Sequence, residues 1–217
     1  GIRKAFHAAD GFTLASLDYS QIELRILAHM CGEEALVTAF RTGEDVHTAT
    51  ARTIFPEAEV TKETRRLAKM LNYAVLYGVS EFGLAQQLGV GFGFKEAKEL
   101  IGQYNDRFPS VREFMKGVIA EAKSKGFTTT LLGRRRYFPD IHAGKLQERK
   151  YSERQAMNAP IQGTAADMLK LAMVECAAIM TTCESRMILN VHDELVFEIR
   201  DGEEALVPDL RSAMEGA

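Results

Sequence analysis

The sequence predicts an α+β fold, a small antiparallel sheet combined with many helices. Apolar runs of strand character occur near both ends of the chain, and the segments between them have helical periodicity. No internal repeat or interdomain linker is visible. The chain has 217 residues, of which 46% are hydrophobic and 26% charged. That composition indicates a globular protein with a substantial core and excludes a fibrous repeat or a disordered tail.

The first elements are a strand over Phe12–Asp18 and a helix over residues 21–30. Ser20 and Glu23 have the spacing of a capping box where the strand gives way to the helix. Further helices are predicted over residues 61–77, 95–105, 111–125, 146–158 and 162–180.

Glycine and proline mark the ends of these helices. Gly78 and Gly126 follow the helices that end at residues 77 and 125, and Pro160 predicts a break between the last two helices. Residues 187–191 and 195–199 are apolar and flank three polar residues, so we interpret them as a β-hairpin.

No apolar stretch approaches the roughly 20 residues of a membrane helix, and no charged-then-apolar leader is visible. Three cysteines at unrelated spacings do not form a disulfide framework or a metal site, so we expect small buried thiols in a cytoplasmic protein. These cysteines are Cys31, Cys176 and Cys183.

Charge is unevenly distributed although the net charge is only −3. Residues 133–155 contain seven basic and three acidic residues, whereas residues 191–217 contain eight acidic and two basic residues. Such a chain can bind a polyanion and divalent cations at different places, and a solvated surface is the simpler alternative.

The first candidate site is the junction of strand and helix, from Asp18 to Glu23. A carboxylate at the end of a strand is well placed for a hard metal ion, and the backbone carbonyl of Tyr19 offers another oxygen ligand. The alternative is local, with Asp18 shaping the turn and Glu23 completing the capping box.

The second candidate site is His192-Asp193-Glu194, between the two apolar strands. Turn chemistry favours Asp, Asn and Gly but does not require these three residues together. If the hairpin lies beside the first strand, Asp18 and Asp193 could bridge two Mg²⁺ ions about 3.5–4 Å apart, an arrangement used in phosphoryl transfer. In a regular pleat Glu194 points away from Asp193, so we expect it to take a secondary part.

The third candidate site is the helix over residues 61–77. Arg65, Lys69, Tyr73 and Tyr77 recur every four residues and share one face. Two cations near a helix N-terminus oppose the helix dipole, which suggests an anion in front of them. Phosphates at Arg65 and Lys69, with a sugar or base at Tyr73, would align a nucleoside triphosphate. The alternative is a solvated basic turn followed by core tyrosines.

Metal-binding carboxylates and a helix that binds a triphosphate together indicate a nucleotidyl transferase. The three segments resemble, in order, motifs A, B and C of the family A DNA polymerases. They are residues 18–25 (DYSQIELR), 65–78 (RRLAKMLNYAVLYG) and 191–194 (VHDE). The similarity extends to residues 43–47 (GEDVH), 133–135 (GRR) and 158–167 (NAPIQGTAAD), and thus to nearly the whole chain.

The resemblance implies a polymerase palm with an inserted helical fingers subdomain. Residues 1–50 would form the first part of the palm, 51–130 the fingers and 131–217 the second part of the palm, with the motif C hairpin at 187–199. The implied activity is template-directed DNA synthesis, in which deoxynucleotides pass from dNTP to a primer 3′-hydroxyl. The implied partners are DNA primer–template and dNTP, with two Mg²⁺ ions, no membrane and a monomeric enzyme.

The resemblance also assigns roles to residues. Asp18 and Asp193 would bind the metals with the Tyr19 carbonyl, and Glu194 would be an auxiliary catalytic carboxylate. The implied nucleotide-binding residues are Gln21, Glu23, His47, Arg65, Lys69, Tyr73 and Tyr77. Among these, Glu23 would exclude a ribose 2′-hydroxyl, with Tyr77 as its hydrogen-bond partner. The implied contacts to DNA are Arg154, Asn158, Gln162 and His192.

Three features depart from the family pattern. The chain begins just before motif A and stops soon after motif C, so we expect a fragment of a longer polymerase, weakly active or inactive alone. Tyr73 stands where many bacterial members have Phe, which resembles certain phage replicative polymerases and predicts a phage or viral origin.

Two other functions stay open. A single-subunit RNA polymerase shares the fold and the metal chemistry, but a carboxylate at Glu23 argues against it. A non-catalytic nucleic-acid-binding module is disfavoured by the presence of both Asp18 and Asp193.

Overall fold

The computed structural model describes residues 5–89 and 91–217. The chain divides into two compact units. The first unit comprises Gly1–Ile22 and Thr164–Ala217, and the second comprises Glu23–Gly163. These boundaries differ from the limits at residues 50 and 130 that the resemblance implies for palm and fingers, and those subdomain names stay a prediction.

The described residues form five strands and nine α-helices. The strands are β1 (Phe12–Asp18), β2 (Phe127–Thr129), β3 (Arg135–Tyr137), β4 (Arg186–Val191) and β5 (Glu194–Arg200). The helices are α1 (Ile22–Cys31), α2 (Glu34–Thr42), α3 (Val46–Ile54), α4 (Lys62–Leu76), α5 (Glu81–Leu88), α6 (Phe94–Arg107), α7 (Pro109–Lys125), α8 (Leu146–Ile179) and α9 (Leu206–Gly216).

The first unit is built on an antiparallel sheet in the order β1-β5-β4. Leu195, Phe197 and Ile199 alternate along β5, so they share one face of the sheet and are buried there. The same core cluster includes Leu169 from α8 and Leu210 from α9. Full burial of each large apolar side chain stabilises the fold by roughly 1.5–3 kcal/mol. The predicted strand and hairpin are confirmed, and their packing fixes the position of the turn between β4 and β5.

In the second unit, α4 is the predicted motif B helix. Its N-cap is Thr61, whose hydroxyl accepts a hydrogen bond from the Thr64 N–H. Its end is a Schellman motif, since Val79 N–H donates to Ala74 C=O and Gly78 N–H to Val75 C=O. Gly78 has φ 61°, the left-handed conformation that glycine adopts without steric cost.

The start of α1 corrects one prediction. The helix begins at Ile22 after Gln21, which has φ 56°, so Ser20 lies one residue too far away to be its N-cap. The Glu23 carboxylate accepts a hydrogen bond from the Tyr77 hydroxyl. The predicted capping box is therefore wrong, because a left-handed residue separates the strand from the helix.

The predicted break at Pro160 is also wrong. α8 runs through it as one helix of 34 residues. Proline removes one backbone donor, so the loss is limited to a single helical hydrogen bond at the carbonyl four residues earlier. Ala156, Ala159 and Ile161 are all buried around this point, and their packing favours the continuous helix.

Shorter elements were not visible in the sequence. Strands β2 and β3 form a hairpin in the basic, turn-rich segment, and α2, α3 and α5 have only eight or nine residues each. All three cysteines are free thiols; Cys176 is buried, and the other two are partly exposed. Among the described residues, no helix is sufficiently long and apolar to cross a membrane.

Candidate active site

Three acidic residues lie at the end of the sheet where β1 ends and β4 turns into β5. We call Asp18, Asp193 and Glu194 the acidic group. Asp18 lies directly opposite Glu194 in the antiparallel register. The Tyr19 N–H donates a hydrogen bond of 3.1 Å to the Asp193 carbonyl. The hairpin does lie beside the first strand, which was the condition for placing the two aspartates together, and the backbone register brings both to one end of the sheet.

The three carboxylates differ in environment. Asp18 is exposed and Asp193 partly exposed, whereas Glu194 has an exposed fraction of only 5%. The Ser16 hydroxyl donates to the Glu194 carboxylate. Glu194 is thus held inside the unit, and the two aspartates are the more accessible oxygen ligands.

Tyr19 anchors the end of β1. Its hydroxyl donates a hydrogen bond to the Met214 carbonyl in α9. Burial, with a smaller contribution from Cys176, raises the pKa of Tyr19 to about 12, so the hydroxyl keeps its proton. The hydrogen bond to α9 holds Tyr19 in place, so that its backbone lies at the end of β1 beside Asp193.

Backbone strain is concentrated near the aspartates. Among the described non-glycine residues, Gln21 and His192 alone have positive φ, at 56° and 58°. Gln21 follows Asp18 by three residues, and His192 directly precedes Asp193. A left-handed conformation costs a residue with a Cβ roughly 1–2 kcal/mol, and such strain often lies at functional sites.

The oxygen donors of the acidic group fit Mg²⁺. Within residues 5–89 and 91–217 no three His, Cys, Asp or Glu side chains form a metal-binding group. Mg²⁺ is commonly held by one or two carboxylates, with water and substrate phosphates completing its shell. Asp18, Asp193 and the Tyr19 carbonyl offer oxygen donors of this kind at one end of the sheet.

In the second unit, α3 and α4 pack together and carry His47, Arg65, Lys69, Tyr73 and Tyr77, which we call the α3–α4 group. Arg65 is held by Asp45 through two hydrogen bonds, Nε to Oδ1 at 2.9 Å and Nη2 to Oδ2 at 2.8 Å. This ion pair lowers the pKa of Asp45 to about 2. A bidentate pair fixes the orientation of the guanidinium plane.

Asp45 is also the N-cap of α3. Its carboxylate accepts a hydrogen bond of 2.8 Å from the Thr48 N–H. One carboxylate therefore caps the helix that carries His47 and orients Arg65 on the neighbouring helix.

Tyr73 on α4 and Tyr77, the C-cap residue of α4, form a short aromatic stack. The Tyr73 and Tyr77 rings are 6.1 Å apart with an interplanar angle of 14°. Tyr73 also lies 5.8 Å from the His47 ring. The Tyr77 hydroxyl donates to Glu23, so the hydrogen bond expected between these two residues is present. Lys69, one turn before Tyr73, is exposed.

His47 has an exposed fraction of only 2%. Burial lowers the pKa of His47 to about 4; Arg65 and Lys69 lower it further and Asp45 opposes them. The imidazole is therefore neutral at pH 7. Its Nδ1 lies 3.0 Å from the amide nitrogen of Asn72 on α4.

The predicted DNA contacts of the second unit lie on α8. Arg154, Asn158 and Gln162 are four residues apart and share one helix face. Arg154 and Gln162 are exposed, and among the described groups the buried Asn158 Oδ1 has no hydrogen-bond partner. A Cβ at Gly78 would lie 3.2 Å from the Arg154 Cγ, so the end of α4 packs closely against this face. His192 is exposed in the first unit.

Sequence reasoning missed Asp45, Asn72 and Tyr104. Asp45 could have been found, since Asp three residues before Thr48 is an N-cap pattern. Asn72 interrupts the apolar face of α4, and a polar residue on such a face indicates a buried hydrogen bond. Tyr104 gives no local signal, because its partner lies 32 residues away.

The whole chain, residues 1–217, matches the sequence profile of DNA polymerase family A. It is 46% identical to the DNA polymerase I of Mycobacterium tuberculosis over 222 residues, and 44% identical to the thermostable DNA polymerase I of Thermus aquaticus over 218 residues. These alignments cover 100% and 99% of this chain but 24% and 26% of the relatives. The chain thus spans about a quarter of their length.

The fold has a close counterpart among solved structures. The POL domain of Pol1 from M. smegmatis, in complex with DNA primer-template and dNTP, is similar with a TM-score of 0.92 and 44% identity. The similarity covers 99% of this chain and 39% of that one. The predicted α+β fold with a small antiparallel sheet is confirmed.

These relatives are bacterial, which corrects the expectation of a phage or viral origin. A single aromatic residue such as Tyr73 is a weaker signal than identity distributed along the whole chain. With its full length matched by the family profile, the chain belongs to DNA polymerase family A.

Proposed function

We propose that this chain carries the polymerising function of a DNA-directed DNA polymerase, a nucleotidyltransferase that copies a template by adding deoxynucleotides to a primer 3′-hydroxyl. The proposal depends on one observation: the chain has two aspartates at a strand end and also a helix on which Arg65 and Lys69 lie one turn apart. The similar M. smegmatis domain was solved with DNA primer-template and dNTP, which supports this choice of substrates.

Asp18, Asp193 and the Tyr19 carbonyl would hold Mg²⁺. When bound, Mg²⁺ lowers the pKa of the primer hydroxyl and stabilises the charge that develops on the transferred phosphoryl group. Glu194, bonded to Ser16, would keep the strand ends in register.

The α3–α4 group would bind the triphosphate of the incoming nucleotide. Arg65 and Lys69 supply positive charge, and Asp45 reduces the entropy lost on binding by holding Arg65 in one orientation. Tyr73 would lie against the sugar. Glu23 and Tyr77 would crowd the 2′ position and reject ribonucleotides.

Arg154, Asn158, Gln162 and His192 would contact the minor groove of primer–template. Minor-groove acceptors are nearly the same for all correct base pairs, so such contacts test pair geometry without reading sequence. The basic residues of 133–155 would add affinity for the phosphate backbone.

The test is primer extension by a full-length polymerase that carries this segment, since the chain spans a quarter of its relatives. We expect template-directed incorporation of dNTP that needs Mg²⁺, with poor use of rNTP. Duplex binding without incorporation would indicate a non-catalytic nucleic-acid-binding module. Equal use of rNTP and dNTP would indicate an RNA polymerase.

A further inference from the structure

Four polar side chains form a connected hydrogen-bond chain inside the second unit. They are His47 and Thr50 on α3, Asn72 on α4 and Tyr104 on α6. Thr50, Asn72 and Tyr104 have no exposed surface, and His47 has an exposed fraction of 2%. Buried polar groups destabilise a fold unless they are hydrogen-bonded, so the positions of the protons in this chain are strongly constrained.

The hydroxyl groups fix the orientation of the Asn72 amide. Thr50 Oγ1 lies 2.7 Å from the Val46 carbonyl, so the single Thr50 hydroxyl proton is used there. Thr50 can then only accept from Asn72, whose Nδ2 lies 3.0 Å away. Tyr104 lies 3.1 Å from Asn72 Oδ1 and donates to it. Thr50 Oγ1 also lies 3.3 Å from Asn72 Oδ1. A reversed amide would exchange the two amide atoms, so two acceptors would face each other at the shorter contact of 3.0 Å, and only the longer contact would join a donor to an acceptor.

The amide in turn fixes the His47 tautomer. Asn72 Nδ2 has two protons, of which one goes to Thr50 and the other faces His47 Nδ1 at 3.0 Å. Nδ1 must therefore be an acceptor, and a neutral imidazole then carries its proton on Nε2. Among the described residues, no group is hydrogen-bonded to Nε2.

We propose that Asn72 is a positioning residue that holds His47 as the Nε2–H tautomer, so that His47 meets the triphosphate as a neutral hydrogen-bond donor. The part of this inference that concerns the triphosphate rests on the proposed function, whereas the tautomer does not. Asn72 is buried on α4, three residues after Lys69 and directly before Tyr73, so one helix presents the cations and also sets the proton of the histidine.

The charged surroundings agree with a neutral imidazole. Asp45 on the α3 side favours the protonated ring, while Arg65 and Lys69 on α4 oppose it. At the Tyr104 end of the hydrogen-bond chain, Cys31 and Glu33 face the tyrosine. Burial raises the pKa of Tyr104 far above neutrality. The Tyr104 hydroxyl therefore keeps its proton near neutral pH and donates it to Asn72.

The tautomer is measured directly by ¹⁵N NMR of this chain with labelled histidine at pH 7, the His47 signals being identified by their loss in His47→Gln. We expect an unprotonated Nδ1 and a protonated Nε2. A proton on Nδ1, or on both nitrogens, would overturn the proposal. The wild-type spectrum decides this point, and His47→Gln serves only to identify its signals.

Asn72→Asp reverses the constraint, because a carboxylate can only accept from His47 Nδ1. We expect the proton to appear on Nδ1 and the pKa of His47 to rise. Tyr104→Phe is the matched control, since it removes a hydroxyl from the same hydrogen-bond chain but leaves Asn72 bonded to His47. That control should keep the wild-type tautomer, and loss of the tautomer there would also overturn the assignment to Asn72.

The second measurement is the dNTP dissociation constant in single-turnover extension by a full-length polymerase carrying the segment. The ratio of this constant between Asn72→Asp and wild type should change by about threefold or more between pH 6 and pH 8 as His47 titrates. A ratio that is constant with pH would overturn the role of the tautomer in nucleotide binding. An unaltered dissociation constant in His47→Ala, which has no side-chain donor, would instead refute the triphosphate contact of the proposed function, while the NMR result would stand.

Discussion

The acidic group and the α3–α4 group hold their functional side chains in different ways. In the acidic group the backbone sets the geometry: Asp18 faces Glu194 in the ladder, and Tyr19 N–H is bonded to the Asp193 carbonyl. In the α3–α4 group, other side chains set the geometry. Asp45 orients Arg65, and Asn72 faces His47. A site set by the backbone should tolerate loss of a neighbouring side chain, whereas a site set by side chains should change with its supports.

Loss of an aspartate should have the largest effect. Asp18→Asn or Asp193→Asn in a full-length polymerase carrying this segment should lower extension by about 10³-fold or more, because several kcal/mol of charge stabilisation would depend on each proposed metal ligand. Duplex binding should remain within a small factor of wild type. Single-turnover extension and a separate DNA-binding titration measure the two quantities.

The matched control is Asp201→Asn, which removes an exposed carboxylate of the same unit from the turn after β5. Its extension rate should equal that of wild type. Substantial turnover in either Asp18→Asn or Asp193→Asn would exclude the metal assignment.

Lys69→Ala should have the second-largest effect on extension. A hydrogen bond to a charged group contributes about 1.5–3 kcal/mol, so the efficiency of dNTP incorporation should fall about 10- to 150-fold. Lys69→Arg should restore only part of it, because a planar fork replaces a point charge. Lys62→Ala, another exposed lysine of α4, should have no such effect. Equal loss of affinity for primer–template and for dNTP would contradict a triphosphate contact.

Tyr73 tests whether the aromatic stack has a chemical role. Its hydroxyl, one turn past Lys69, could replace the 3′-hydroxyl that a dideoxynucleotide lacks. Wild type should then accept dideoxynucleotides almost as readily as normal ones, and Tyr73→Phe should lower the dideoxy-to-deoxy ratio by about tenfold or more, since the lost donor faces a charged phosphate. Incorporation of normal nucleotides should change little. Equal ratios in the two enzymes would leave Tyr73 as a packing residue, in contact with Tyr77 and His47.

The same contrast explains what could be predicted from sequence. Strand alternation and an apolar hairpin were sufficient to predict the elements that carry Asp18 and Asp193, because each follows from a local pattern. That the two elements are neighbours entered only as a condition, which the pairing of β1 with β5 meets. The Asn72 network joins residues 22 to 32 positions apart, and hydrogen bonds of that kind depend on how three helices pack. The errors have local causes: Gln21 is left-handed where a capping box was expected, and packing keeps α8 continuous through Pro160.

The smallest expected effect concerns acid stability and the pair of Asp45 with Arg65. The pKa of Asp45 is held at about 2 by Arg65, below its ordinary value of 3.8. A carboxyl group with a lowered pKa stabilises the fold above its unfolded pKa, and this stabilisation is lost as the pH falls from about 4 to about 2. Because both side chains are more than a third exposed, the pair contributes about 1 kcal/mol or less.

Asp45→Asn should therefore lower the free energy of unfolding slightly at pH 7 and flatten its decline between pH 4 and pH 2, as measured by urea denaturation. Asparagine is also a good N-cap, so α3 keeps its cap and the difference reports the ion pair. The matched control is Glu63→Gln, because Glu63 holds Arg66 through two similar hydrogen bonds within α4. That local pair joins no second helix, and its loss should leave the unfolding curve unchanged. If both variants had the same unfolding free energies at every pH, the pair of Asp45 with Arg65 would be an ordinary surface ion pair. The α3–α4 group would then not depend on it.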